Sequence, residues 1–313
     1  MPTVLVLSCA EDETARMVAE QLKYCPVKVV SFDTADFPMN AELCAYPGGS
    51  TRRTLQTTRA MVDLDDVVGV LYRRPAQFQL PDGMMDEYRI FARVEARHGF
   101  GGVLSSLDVR WVNHPSAIGN ANFKPCQLDA AAAVGMTVPR TLITNSSGRA
   151  QKFASELGQP MIYKVFEPPI LPDQKVIYTS LVDPHDLDDP AISLTAHMFQ
   201  EQIPKDFDAR ITVIADKCFG VAIHTESPAA RVDFRADYSA VSYMPLALPA
   251  DLPGKLRAYL DRFGLAFGAF DFAVTPEGRY YFLECNPNGQ WGWLQDETGL
   301  PMAEAFAEYL AEG

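Results

Sequence analysis

Residues 270–294 read FDFAVTPEGRYYFLECNPNGQWGWL. Thr275-Pro276-Glu277-Gly278 has proline at the second turn position and glycine at the fourth, a type I pattern. It is flanked by Phe270–Val274 and Tyr280–Leu283, aromatic and branched runs that suit strands. A tight turn sets Val274 opposite Arg279 and Asp271 opposite Phe282, so Asp271, Phe282, Glu284 and Asn286 share one face. Asp271 and Glu284 are then diagonal neighbours, roughly 7–8 Å apart. Two carboxylates and an amide oxygen on one face suit Mg²⁺ shared with phosphates. Pro287 ends the strand and holds Asn286 extended. An amphipathic hairpin with its polar face in water fits the same alternation. Against that reading, Phe270, Phe272, Phe282, Trp291 and Trp293 favour burial, and acids among buried aromatics need a cation or a hydrogen-bond partner.

The chain has 313 residues, enough for two or three domains, and its 48% hydrophobic content suits a soluble globular protein. No apolar run approaches the roughly 18–20 residues that span a bilayer. The N-terminus, MPTVLVLSCAEDE, lacks the basic region and apolar length of a signal peptide. The six cysteines are scattered without CxxC pairs, and the five histidines show neither HExxH nor HxH spacing. Reduced thiols in the cytoplasm are expected, with no disulfide framework or zinc site. A net charge of −13 argues against nucleic acid and anionic membrane as partners.

From the N-terminus, Val4–Cys9 suggests a strand, Glu11–Tyr24 a helix with Ala15, Val18, Ala19 and Leu22 inward, and Val27–Phe32 a second strand. This β-α-β start lacks GxGxxG, which argues against a dinucleotide site. Gly48-Gly49-Ser50 and Thr51–Met61 suggest a small hairpin edge. Val67–Tyr72 is a core strand running into Arg73-Arg74-Pro75. Arginines at a carboxyl strand end can meet an anionic substrate, and a solvated surface pair fits equally. Asp86–Leu107 reads as a helix with Tyr88, Phe91 and Val94 inward, interrupted near Gly99–Gly102. Trp111–Asn113 is a strand and His114–Gly119 a loop. Pro125 suits a first helical position and Gly135 a helix end, placing Lys124 at a helix start.

Thr137–Thr144 and Met161–Phe166 read as strands around a short helix, Arg149–Leu157. Lys164, inside an apolar strand, needs an anion or a route to solvent. Pro168, Pro169 and Pro172 stiffen a loop before an extended Lys175–Val182. Ala209–Ala215, Cys218–Thr225 and Val241–Ala247 read as strands, Leu252–Phe263 as a helix ended by Gly264, and Met302–Leu310 as an amphipathic helix. The β-α-β start and antiparallel second half imply a mixed, multi-lobed α/β fold.

Lys164, Phe199–Ile203, Asp208-Ala209-Arg210, Arg235, Asp271 and Glu284-Cys285-Asn286 together resemble the ATP-grasp ligases, in order and spacing, across roughly residues 114–294. Further strings resemble the graspetide maturases, the microviridin-type enzymes that cross-link ribosomal peptides. These are Tyr72-Arg73-Arg74-Pro75, Asn122-x-Lys124, Ile177-Tyr178-Thr179, Asp233-Phe234-Arg235 and Asn286-Pro287-Asn288-Gly289-Gln290-Trp291. The resemblance implies an N-terminal pre-ATP-grasp β-α-β domain over 1–115. It implies a central ATP-grasp lobe over 116–198 and a C-terminal lobe over 199–313 that carries the metal hairpin.

ATP and Mg²⁺ follow as the implied cofactors. Asp271, Glu284 and Asn286 would hold the metal. Lys124 and Lys164 would contact phosphates and part of the base, Glu201, Gln202 and Ile203 would read adenine largely by main-chain groups, and Asp208 would lie at the ribose. Arg210 and Arg235 would face the transferring phosphoryl group, where a fixed guanidinium fork suits better than an ammonium. Arg73 and Arg74 would contact substrate. One departure is Phe166–Pro172, which lacks the glycines that often cover the triphosphate.

The resemblance implies a ligase that activates Asp or Glu side chains of a precursor peptide as acyl phosphates. Ser, Thr or Lys side chains then attack, giving macrolactones or macrolactams. The partner is a precursor peptide with leader and core, the leader bound away from the ATP site on the central lobe, and the family suggests a homodimer. A glutathione synthetase-like ligase, joining an amino acid to a small molecule or protein tail, is the alternative. A non-catalytic, nucleotide-dependent peptide-binding subunit is a third.

Overall fold

A computed structural model describes residues 1–48, 52–167, 179–225 and 241–312. Gly49, Ser50 and Thr51, the prolines at 168, 169 and 172, Ile177-Tyr178 and Asp233-Phe234-Arg235 lie outside the described residues.

The opening β-α-β unit forms as the sequence predicts: β1 (Thr3–Leu7), α1 (Glu13–Leu22) and β2 (Lys28–Phe32), with β1 and β2 parallel from Thr3↔Lys28 to Leu7↔Phe32. Asp12 caps α1 by accepting the Ala15 N–H, and Ala15, Val18 and Leu22 turn inward at helical spacing. A three-stranded antiparallel sheet follows, β3 (Ala41–Cys44), β4 (Thr54–Thr57) and β5 (Met61–Asp63), broader than the expected hairpin edge. Then β6 (Val67–Tyr72) and β7 (Arg110–Val112) join the first sheet in the order β2-β1-β6-β7, all parallel.

The helix between them, α2 (Asp86–Ser105), departs from expectation twice. It runs through Gly99–Gly102 without a break, and its inner face is Ala96, Phe100 and Leu104. Tyr88, Phe91 and Val94 are 56%, 65% and 47% exposed. Two apolar stripes compete on this helix. Phe100 decides between them because its ring meets Phe32, Phe37 and Phe78 at 5.8, 4.6 and 6.1 Å, worth more than the glycines cost in propensity.

His114–Gly119 is also not a loop. Pro115 starts α3 (Pro115–Ala121), capped by the His114 ring nitrogen. Next, α4 (Lys124–Ala133) begins at Lys124 with Pro125 in its first turn, and Gly135 follows with φ 80°. The middle of the chain builds a four-stranded antiparallel sheet in the order β10-β9-β11-β8 from β8 (Thr141–Thr144), β9 (Met161–Lys164), β10 (Ser180–Leu181) and β11 (His197–Glu201). Helix α5 (Ser147–Leu157) packs beside it, capped by Ser146. Thr137 lies outside β8 and bridges Tyr281 instead.

The last sheet has five antiparallel strands in the order β14-β13-β12-β15-β16: β12 (Phe207–Ile214), β13 (Lys217–Thr225), β14 (Val241–Leu246), β15 (Phe267–Val274) and β16 (Tyr280–Asn286). Three more helices complete the chain: α6 (Leu252–Phe263), α7 (Gly292–Thr298) and α8 (Met302–Ala311). One core lies between α4, α6 and the sheet face carrying Phe270, Phe272 and Phe282. Another joins the first sheet to the last through α8, where Val4, Val6 and Leu71 meet Phe267, Trp291 and Phe306. A methyl group on Gly69 would sit 2.5 Å from the Leu310 oxygen, so only glycine lets α8 lie this close to β6. No described helix is long and apolar enough to cross a membrane.

Candidate active site

The β15–β16 hairpin closes through Thr275–Gly278, but its register differs from the simple alternation. Val274 faces Tyr280 and Phe272 faces Phe282. The ladder then shifts, so that Asp271 faces Glu284 and Ala269 faces Asn286. Leu283 is the bulged residue, and one extra residue reverses side-chain parity along a strand. Phe282 therefore joins Phe270 and Phe272 in the core and does not share the polar face. Asp271 and Glu284 are direct rather than diagonal neighbours, about 4.5–5.5 Å apart at Cβ by strand geometry. Asn286 lies on the same face, and its amide nitrogen donates to Asp271 Oδ2 at 3.3 Å.

Arg210 enters this face from β12, paired in register with Asp271. It is 7% exposed, and its Nη1 lies 3.3 and 3.4 Å from the two Asp271 oxygens. Its guanidinium stacks over the Trp293 ring at 5.2 Å, while its Nε is buried with no partner among the described residues. Two residues earlier on the same face is Asp208, bound by Lys205 Nζ at 2.6 and 2.7 Å. From α4, Lys124 donates to Glu284 Oε2 at 2.5 Å. Each of the three carboxylates thus has a cation, the condition for keeping such charges at the edge of a core.

Lys164 ends β9 opposite Met198 and is 9% exposed. Glu201 ends β11, and Gln202 and Ile203 lead toward β12 and the last sheet. The Glu201 carboxylate accepts from the Arg140 N–H and from Gln159, and the Glu201 and Gln202 amides donate to Arg140 and Pro160. The Glu201 side chain therefore ties β11 to its neighbours. Arg235 lies outside the described residues.

The two arginines after β6 separate. Arg74 is exposed, whereas Arg73, expected at a substrate or in solvent, is 2% exposed and held by protein groups. Its Nε donates to Asp12 at 3.0 Å, Nη1 to the Gly289 oxygen at 3.0 Å and Nη2 to Gln290 Oε1 at 2.9 Å. Asn288 returns a bond to the Arg73 oxygen. Burial pushes the Asp12 carboxyl up, but the Arg73 charge and hydrogen bond, with bonds from Ser8 and the Ala15 N–H, hold it below the ordinary range.

The donor set fits Mg²⁺ and a polyphosphate. Among the described residues no three His, Cys, Asp or Glu side chains cluster as a metal cage. A site of one or two carboxylates completed by phosphate oxygens is the arrangement Mg²⁺ favours. The long Arg210–Asp271 contacts and the unpartnered Arg210 Nε leave donor capacity beside that face. Burial pushes the Cys285 thiol well up, so this residue, turned to the core between Glu284 and Asn286, stays a neutral packing group.

Residues 3–119 match the family model of the MvdD pre-ATP grasp domain. The fold is similar along its whole length to the macrocyclase MdnC of Microcystis aeruginosa MRC, solved with the precursor peptide MdnA. The two share 30% identity and a TM-score of 0.87, with 99% of this chain and 100% of that one covered. This chain belongs to the graspetide-maturase family of ATP-grasp ligases. A Chryseobacterium gregarium RiPP-associated ATP-grasp ligase, solved with ADP and a leader and core peptide, shares 25% identity at TM-score 0.89, covering 100% of this chain and 96% of that one. Macrocyclase MdnB of M. aeruginosa MRC shares 29% identity at TM-score 0.83, with both chains fully covered. A comparison with curated proteins finds no match.

Two buried amides position the site in this maturase, and neither stood out in sequence. Gln127, 4% exposed, donates from Nε2 to the oxygens of Cys285 and Ala121, both at 2.8 Å, and its Oε1 accepts the Cys285 N–H at 3.0 Å. As the outermost strand of its sheet, β16 offers main-chain groups that this amide satisfies. The clamp fixes the start of α4 beside β16 and so brings Lys124 to Glu284. The readable signal was a glutamine at i, i+3, i+4 spacing with Ala130 and Ala131 on the buried stripe of α4. Asn113, 1% exposed, accepts the Ala266 and Phe267 N–H groups and donates to the Phe267 and Pro287 oxygens. It fixes both ends of the hairpin to β7, and nothing local in the sequence foretells partners so distant.

Proposed function

We propose that this maturase uses ATP and Mg²⁺ to activate Asp or Glu side-chain carboxylates of a ribosomal precursor peptide and joins them to Ser, Thr or Lys side chains. The products are macrolactones or macrolactams. The observation that carries the proposal is the single face on which Asp271 and Glu284 stand opposed, with Asn286 beside them and Arg210 and Lys124 against them. Support for a peptide as the second substrate comes from MdnC, solved with its precursor, and from the Chryseobacterium enzyme, solved with leader and core peptide.

Asp271, Glu284 and Asn286 would hold Mg²⁺, which when bound neutralises phosphate charge and orients the transferring group. A substrate carboxylate oxygen attacks the γ-phosphorus and ADP leaves, giving an acyl phosphate. The hydroxyl or amine then attacks the acyl carbon, loses its proton, and phosphate departs. Positioning and charge neutralisation dominate phosphoryl transfer. Arg210, stacked on Trp293 and held at Asp271, supplies a fixed cation to the transferring group, and Arg235 is proposed as its counterpart. Lys124 and Lys164 contact phosphates, Asp208 the ribose, and Glu201, Gln202 and Ile203 the adenine. Arg74 remains as the exposed member of the proposed substrate pair.

The proposed division is 1–115, 116–198 and 199–313. A cytoplasmic site of action is consistent with six free thiols, and a homodimer is part of the same proposal. The test is incubation with precursor, ATP and Mg²⁺. Each cross-link should lower the peptide mass by one water and release ADP, whereas a mass gain would mean ligation to a separate molecule.

A further inference from the structure

A cleft of about 760 Å³ lies in the N-terminal domain between α2 and the carboxyl ends of β1 and β6. Tyr72, Phe78 and Trp111 give it aromatic walls, and Arg93, Arg97 and His98 of α2 stand around it. No acidic side chain lines it. Among the described residues none of these three basic groups forms a hydrogen bond or an ion pair. In a chain of net charge −13, two arginines without an acidic partner beside one aromatic cleft are a marked local reversal. A cleft lined by one sign of charge concentrates ligands of the opposite sign.

The position has its own logic. The order β2-β1-β6-β7 reverses direction at β1, and open parallel sheets bind ligands outside the carboxyl ends of their strands at such a point. Tyr72 lines the cleft, and the next residue, Arg73, grips the Gly289 oxygen behind Asn286. The cleft therefore opens one residue away from the arginine that braces the carboxylate face.

We propose that this cleft binds an acidic, apolar stretch of the peptide substrate, its carboxylates on Arg93 and Arg97 and its apolar side chains against the aromatic walls. The proposal rests on the reading of the substrate as an Asp- or Glu-bearing peptide. Its volume is that of a binding pocket, about 300–1,000 Å³, enough for a few residues. A second copy of the chain is the competing occupant, since α2 also exposes Tyr88 and Phe91. A twofold contact centred on α2 would set the same cationic side chains of the two copies against each other, which disfavours it.

The test uses two fluorescein-labelled synthetic hexapeptides, one alternating Glu and Phe, the other Gln and Phe, titrated at low salt into the full chain and its Arg93→Ala/Arg97→Ala variant. The wild-type chain should prefer the Glu peptide by about tenfold, and the variant should lose that preference with unchanged affinity for a fluorescent ATP analogue. Equal affinity for both peptides, or an unaltered preference in the variant, overturns the proposal. So does a variant that changes from dimer to monomer in sedimentation while binding peptide as before. Precursor cross-linking by the same variant separates the two readings. An unchanged KM removes the cleft and leaves the ligase intact. Failure of the wild-type chain to form ADP with precursor counts against the ligase, while the hexapeptide comparison still decides the cleft.

Discussion

Arg73 and Gly289, 216 residues apart in the chain, meet at 3.0 Å, the guanidinium donating to the main-chain oxygen. The same side chain holds Asp12 at the start of α1 and Gln290 in the loop after β16. One arginine thus fastens the N-terminal sheet to the loop that follows the proposed metal strand. Arg73→Met should leave Asp12 buried without its cation, a loss of about 3–5 kcal/mol. Urea denaturation should show a lowered midpoint, and a stability within about 0.5 kcal/mol of wild type would remove the joint.

The same pair gives a pH dependence of known sign. Asp12 has a folded pKa below the ordinary 3.8. Its contribution is complete above that value and is lost as pH falls through the lower folded value. Wild-type stability should therefore drop on the acid side of pH 4. The Asp12→Asn variant, less stable at neutral pH, should follow a flatter curve in that range. Parallel acid limbs in the two proteins would show that Asp12 does not titrate as argued.

The hairpin was legible because turn chemistry and strand alternation are local. Pro276 and Gly278 mark the turn, and aromatic residues mark both strands. The bulge at Leu283 was not legible, since a period of two assumes an uninterrupted ladder. It brings Asp271 and Glu284 into direct opposition and sends Phe282 to the core. On α2 the sequence carries two apolar stripes, and only the packed ring of Phe100 shows which is inward. Arg73 was visible as a strand-end arginine, but its partners lie in α1 and after β16, beyond the reach of any local pattern. Arg235, singled out beside Asp233 and Phe234, lies outside the described residues.

Gln127 acts on the site through the main chain of Cys285. Gln127→Leu keeps much of the volume but strips the Cys285 N–H and oxygen of their buried partner, at about 2–4 kcal/mol. Because Lys124 and Glu284 flank that clamp, the variant should also need more Mg²⁺ for half-maximal ADP formation. A stability loss with an unchanged Mg²⁺ requirement would reduce Gln127 to a packing role.

Glu284→Gln tests the carboxylate face with the least disturbance. The change removes one charge and leaves the shape, so the fold should stay intact, with a modest drop in melting temperature because Lys124 loses its ion-pair partner. ATP-dependent cross-linking should fall at least about a hundredfold, in the range seen when a group that stabilises developing charge is lost. Turnover near the wild-type rate would take Glu284 out of the proposed metal site.

Gly289 tests how closely the loop must lie under the arginine. A methyl group there would sit 2.8 Å from Ala269 Cβ, 3.0 Å from Arg210 Nη2 and 3.0 Å from Asn286 Cβ. All three neighbours line the proposed phosphoryl-transfer face, and two of them are rigid. The backbone would have to lift or Arg210 would have to leave the Trp293 ring, at a cost of about 1–3 kcal/mol for overpacking. Gly289→Ala should therefore lower the cross-linking kcat by at least about tenfold, because the displaced groups are those that orient charge. Affinity for the precursor peptide, measured without ATP, should hardly change. An alanine variant with wild-type kcat would mean that the Arg210 position tolerates the shift, and that the fixed-cation role assigned to it is wrong.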